Sequence, residues 1–441
     1  MRKSLSFALA TMLLLSVSPL TACKNGSSGN KKGANVLRIA SWDEYIDMGG
    51  EDSYYSADSL PIYEEFEAWY NEQHPNNPIT VEYVALQDNE TMYNKIKMGD
   101  EYDLLCPSEY MAMKLKAEDR LLAFDEEFFN PAVEGNYYAQ NVSPYTESIF
   151  KSQGLHEYIA GYMWGSTGFV YNPEKFGSSV EEAREIMSSW TCLTNPACNR
   201  RITAKDNVRD SYFMGLGLYY EQELMGLDPT DANYSTILSE KMNDVTPETM
   251  ANVKELLVKA RRNLYGLETD EGKTDVAAGR LDASYQWSGD AVYIMDMAEE
   301  NDLSLEYSIP KSASNLWFDG WVMMKEANKE AATAFVNYIS RPDNIVRNMY
   351  YIGYTSCLAG EEVYAYIEET YGAEEGDETA VEYDLSYFFG EGKVLLTPED
   401  QTRRQLFAQY PDSDTKNRLV VMKYFDKATN ERANRMWNNI K

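Results

Sequence analysis

Residues 79–106 read ITVEYVALQDNETMYNKIKMGDEYDLLC, and this stretch decides the fold. Ile79 to Val84 reads as a strand, Asn89 to Met98 as a helix, and Tyr102 to Cys106 as a second strand. Outward on the N-terminal side, Val36-Leu37-Arg38-Ile39-Ala40 is a short β run. A Gly/Ser/Asp-rich loop follows near 47–60. PIYEEFEAWYNEQH then spaces Ile62, Phe66 and Trp69–Tyr70 for one helical face. Strand and helix keep alternating through Gly168-Phe169-Val170-Tyr171. The pattern predicts an α/β architecture on mostly parallel sheets.

On the C-terminal side, residues 180–300 are helix-rich. They include PETMANVKELLVKARRNLYG, with a start at Thr246-Pro247 and a stop at Gly266. Leu316 to Met324 is strand-like, and Arg341-Pro342 breaks the helix that precedes it. Residues 370–400 are acidic and Gly-rich and read as an exposed insertion. No internal repeat of solenoid length is present.

Composition narrows the function. The net charge is −31, from 71 acidic and 40 basic residues, which opposes a nucleic-acid partner and favours capture of cations. Only His74 and His156 are histidines, too few for a His-built metal site or a Ser-His-Asp triad. No P-loop, dinucleotide fingerprint, HExxH or GxSxG occurs. No metal and no cofactor is implied.

The N-terminus reads as an export signal. Arg2 and Lys3 precede an apolar run from Leu5 to Val17, too short for a stable membrane span. Leu20-Thr21-Ala22-Cys23 matches a bacterial lipobox, so residues 1–22 are expected to be removed and Cys23 to carry lipid. Residues 23–35 are rich in Gly, Ser, Asn and Lys, as a flexible tether would be. Export permits a disulfide between Cys192 and Cys198, which share a polar loop. Cys106 and Cys357 sit in contexts that suit buried thiols.

Five blocks carry a resemblance. They are Ser41-Trp42-Asp43-Glu44-Tyr45; Asn89-Glu90-Thr91-Met92-Tyr93 leading to Tyr102-Asp103-Leu104-Leu105-Cys106-Pro107-Ser108-Glu109-Tyr110; Tyr162-Met163-Trp164-Gly165-Ser166-Thr167-Gly168; Gln286-Trp287-Ser288-Gly289-Asp290 with Trp317-Phe318-Asp319; and Arg341-Pro342-Asp343 with Ile352-Gly353-Tyr354. In this order, over roughly 36–360, the chain resembles the spermidine/putrescine-binding proteins of bacterial ABC importers, in lipoprotein form.

The resemblance implies a two-lobed periplasmic-binding-protein fold of type II, hinged on two crossover strands near Ser166–Thr167 and Phe318–Gly320. Residues 36–165 with 320–360 would form one lobe, and 166–319 with 361–441 the other. It further implies walls from Trp42, Tyr45, Tyr110, Trp287 and Trp317. Asp319 would hold an ammonium group, Asp290 and Asp210 would supply further acids, Ser108 a hydroxyl, and Tyr354 the rim. Glu44 joins them beside Asp43, where the family varies. Asn207 stands where spermidine-type members often carry aspartate. The implied partners are a polyamine, an importer permease, and the membrane through Cys23, with the protein a monomer outside the cytoplasm.

The chemistry of a polyamine agrees with such a site. Each buried ammonium needs a carboxylate or several acceptors, and the methylene stem needs apolar walls. Aromatic faces supply both wall and attraction, about 0.5–2 kcal/mol per contact. Each residue also has a plainer reading: the tryptophans as packing, Asp290 as a helix cap, Asp319 as a turn, Tyr354 as hinge packing. Two other functions remain open, the same fold holding another organic cation or small solute, and a cell-surface carboxylate-dependent hydrolase.

Overall fold

The computed structural model describes residues 30–33, 35–268 and 272–441. The signal segment, Cys23 and most of the expected tether lie outside the described residues. Ten strands build the frame of the site: β1 (Val36–Trp42), β2 (Thr80–Leu86), β3 (Leu104–Leu105), β4 (Leu121–Leu122), β5 (Ala160–Tyr171), β6 (Ile202–Lys205), β7 (Gly266–Glu268), β8 (Ala283–Trp287), β9 (Glu306–Ser308) and β10 (Ser314–Met324).

Their order across the sheet is β2-β1-β3-β10-β5-β8-β6-β7. β1 runs parallel to β2 and β3, and β6 runs parallel to β7 and β8. Between these two parallel halves lie β10 and β5, antiparallel to each other and to their outer neighbours. Parallel pairs need a crossover long enough to return the chain, and helices supply it. Asn89–Met98, for example, joins β2 to β3, started by Asp88 accepting from the Thr91 amide and stopped at Gly99 in the left-handed region.

β5 and β10 are the long strands. All twelve residues of β5 are buried, as are all but the last of β10. That burial on both faces explains their near-continuous apolar sequence. Met163 and Trp164 of β5 belong to one hydrophobic core, Phe169 and Tyr171 to a second. Val170, facing the opposite way, packs in a third cluster with Ile294 and Met295 on the other side of the same half-sheet. β5 therefore crosses between cores over residues 165–168, where the sequence placed it. On the other crossing, Ala313 lies in the second core while Leu316 is already in the first. The expected crossing at Phe318–Gly320 is instead a β-bulge inside the first core, between Asp319 and Gly320. Gly165 makes the crossover possible, since a Cβ there would meet the Ser288 hydroxyl at 2.3 Å and the Trp317 ring at 2.7 Å.

The segment 361–441, expected as one piece of the second lobe, divides between the cores. Val363, Ile367, Phe388 and Leu395 pack in the first, and Val420, Met422 and Trp437 in the second. The acidic stretch 370–400 is also more than an exposed loop. It forms an antiparallel hairpin, Ala380–Asp384 with Val394–Pro398, and the Tyr383 hydroxyl donates to the Tyr410 carbonyl at 2.7 Å. Its few apolar side chains, hidden among acids in the sequence, are enough to seat it. The four described cysteines are free thiols and all are buried, Cys192 and Cys198 included. Among the described residues no helix is long and apolar enough to cross a membrane.

Candidate functional site

In a sheet of parallel strands, ligands bind beyond the carboxyl ends, where helices begin and connections diverge. This sheet has two such halves facing each other, and a cavity of about 780 Å³ lies between them. All eleven residues proposed from sequence line it: Trp42, Glu44, Tyr45, Ser108, Tyr110, Asp210, Trp287, Asp290, Trp317, Asp319 and Tyr354. Trp42 ends β1 and Trp287 ends β8. Ser108 stands immediately before the helix after β3, and Asp210 lies in the first turn of the helix after β6.

The first-core wall centres on Asp319. Its Oδ2 accepts from the Trp42 indole at 2.9 Å, and its backbone pairs with Ser108 across an isolated bridge. Burial raises its pKa, and the Ser108, Trp42 and Tyr45 side chains only partly offset that rise. Oδ1 is buried with no hydrogen-bond partner. Asn89 fixes Ser108 from both sides, donating to its hydroxyl and accepting from its amide, each at 3.0 Å. Tyr45 stands edge-on to Tyr354, with centroids 5.8 Å apart, and Trp317 tilts against Tyr354 at 5.5 Å. Asp43 and Glu44 are exposed at the mouth, with Glu44 in the left-handed region at φ 50°.

Glu109, quoted within a motif but given no role from sequence, proves central. It is 1% exposed, accepts from the Phe318 amide at 3.2 Å, and has its pKa pushed up to about 8 by burial and then by Asp319. Its place directly after Ser108 was the available signal.

The second-core wall differs from the expectation of waiting acids. Asp290 is held below the usual carboxylate range: burial alone would raise it, but Lys205 and Lys273 outweigh that. Lys205 Nζ lies 3.1 Å from Oδ2, Lys273 Nζ lies 2.8 Å from Oδ1, and the Tyr354 hydroxyl donates to Oδ1 at 2.9 Å. Lys205 Nζ also stands 4.2 Å from the Trp287 ring centroid. Burial pushes the Asp210 pKa up to about 6, with Lys205 and then the Trp287 side chain partly offsetting the rise. Arg209 lies over the Tyr110 ring at 4.5 Å, with Phe425 on it at 3.6 Å, while the Tyr110 hydroxyl donates to Glu90 at 3.3 Å. Asn207 is the helix cap, accepting from the Arg209 and Asp210 amides. Lys205 and Arg209 flank that cap, and no motif in the sequence marks either as a residue of the cavity. Lys273 had no local signal.

A model of the family described as bacterial extracellular solute-binding protein matches residues 64–363. A putrescine-binding periplasmic protein of Escherichia coli (strain K12) is 25% identical over 324 residues, covering 70% of this chain and 74% of its own. A spermidine/putrescine-binding periplasmic protein of Salmonella typhimurium is 24% identical over 321 residues, 72% and 76% of the two chains. Among solved structures, the spermidine/putrescine ABC transporter substrate-binding protein of Streptococcus pneumoniae superposes with TM-score 0.59 at 25% identity, covering 92% of this chain and 98% of that one. A lipoprotein of Treponema pallidum shares the fold, with TM-score 0.62 at 18% identity over 92% and 99%.

Proposed function

The chain belongs to the bacterial extracellular solute-binding proteins, and from that premise we propose that it captures a small polyamine, putrescine or spermidine, for an ABC importer. One observation carries the reading. Asp319 is a buried carboxylate with an unpartnered oxygen, set among Trp42, Tyr45 and Trp317 at the floor of the cavity. An ammonium group supplies the missing donor and gains the aromatic faces. The named activities of the relatives support the same class of solute.

The mechanism is a hinge trap. β5 and β10 connect the two walls, and rotation over them opens and closes the cleft. The ligand meets the Asp319 wall first, and closure brings the Trp287 wall over its far end. No covalent step is needed. Three raised acids line the cleft, Asp319 and Glu109 on one wall and Asp210 on the other, and aromatic faces beside them suit an ammonium-bearing chain held between the walls. The lipid on Cys23 would hold the trap, as a monomer, at the outer face of the membrane beside its permease.

Thermal melting with putrescine, spermidine and a panel of neutral sugars tests this. A ligand at a hundred times its Kd stabilises the native state by about 2.7 kcal/mol. At least one amine should raise Tm and the sugars should not. A Tm unmoved by every amine contradicts the proposal.

A further inference from the structure

Three of the features expected to receive a second ammonium are already occupied by the protein's own cations. Lys205 stands on the Trp287 face and on Asp290 Oδ2. Lys273 stands on Asp290 Oδ1. Arg209 covers the face of Tyr110. Lys205 and Arg209 are 2% and 4% exposed, so these are built positions and not loose surface contacts. The Asp319 end is the opposite case, since no lysine or arginine is paired with that carboxylate among the described residues and its Oδ1 lacks a donor.

Arg209 adds an independent observation. Its Nη2 donates to the Lys423 carbonyl, but Nε and Nη1 are buried with no acceptor. It lines the same cavity as Asp319. A buried donor without a partner is costly, and an acceptor arriving with the ligand removes that cost. Glu268 Oε2 and Asn315 Oδ1 in the cavity lining also lack partners, but a second ammonium placed at Arg209 and Lys205 would meet two like charges. A carbonyl or carboxylate oxygen would bring what Arg209 lacks.

We propose that the cleft is polar end to end, taking a chain with one ammonium at Asp319 and a carbonyl-bearing group at Arg209 and Lys205. This rests on the amine reading above and refines it. The ligand class is an amine capped at its far end, either an N-acylated diamine or an ω-amino acid. Both offer the same chemistry, one cation and one oxygen acceptor separated by a methylene stem.

Titration calorimetry with putrescine, N-acetylputrescine and 5-aminopentanoate tests it. The account expects at least one capped ligand to bind ten-fold or more tighter than putrescine. Which one wins tells an amide from a carboxylate. In Lys205→Met the Trp287 face and Asp290 Oδ2 become available, so the preference should shrink five-fold or more. Lys273→Met serves as the second variant should the first fail to fold, and shrinks it in the same sense. Putrescine or spermidine binding as tightly as both capped ligands overturns the inference and leaves the amine reading standing. So does a preference unchanged in the folded variants. Failure of all these amines to bind overturns both together.

Discussion

At the scale of single residues, burial makes three acids of the site reluctant to ionise, Glu109, Asp319 and Asp210. Glu109, pushed up to about 8, holds its proton at neutral pH. Its raised pKa stabilises the empty protein fully below about pH 4.5, the ordinary glutamate range, and that contribution is lost as pH rises through about 8. Ligand binding runs the other way. An ammonium beside Glu109 and Asp319 favours the ionised forms, so it expels protons. Amine affinity should therefore rise with pH from 6 towards 8. Calorimetry at pH 7 in two buffers of different ionisation heat should report proton release, and Glu109→Gln should reduce it. Equal heats in both buffers would contradict this. The same residues show the limit of sequence reading. Trp42, Trp317 and Asp319 were legible because they sit in ordered motifs. The role of Asp290 was not, because its charge is set by Lys205, which lies 85 positions away along the chain.

At the scale of elements, the site exists because strands end and helices start on one side of each half-sheet. Local chemistry made those starts readable. Thr246 caps Pro247–Asn263 where the sequence predicts it, and the break expected at Arg341-Pro342 is also the start of a further helix, Pro342–Ile352. What no local pattern carries is which core an element joins. Residues 361–441 divide between two cores because a few apolar side chains find different neighbours, and the hairpin at 380–398 is seated the same way. Tyr354 is one of the residues that tie the walls together, as Arg209 over Tyr110 is another. Tyr354 lies flat against Gly289, where a Cβ would meet its ring at 1.8 Å. Gly289→Ala must displace the ring and break its hydrogen bond to Asp290. Overpacking of this kind costs about 1–3 kcal/mol. The urea midpoint should fall, and amine affinity with it. A variant equal to the parent in both would show that the Tyr354 contact does not set the cleft.

At the scale of the whole molecule, β5 and β10 make one sheet of two facing halves, and the ligand space is what lies between them. A net charge of −31 gives the particle a field that concentrates cations near the mouth, where Asp43 and Glu44 are exposed. That field would draw in any cation; selection is left to the floor of the cleft, where a desolvated ammonium must find its carboxylate. The central claim is that this carboxylate is Asp319. The direct measurement is calorimetric titration of the parent protein and Asp319→Asn with the amine that stabilises the parent most. The account predicts a loss of about 2 kcal/mol or more, roughly thirty-fold in Kd, with the fold intact by melting. Equal affinity in the two proteins would contradict it, because the ammonium would then rest on some other group.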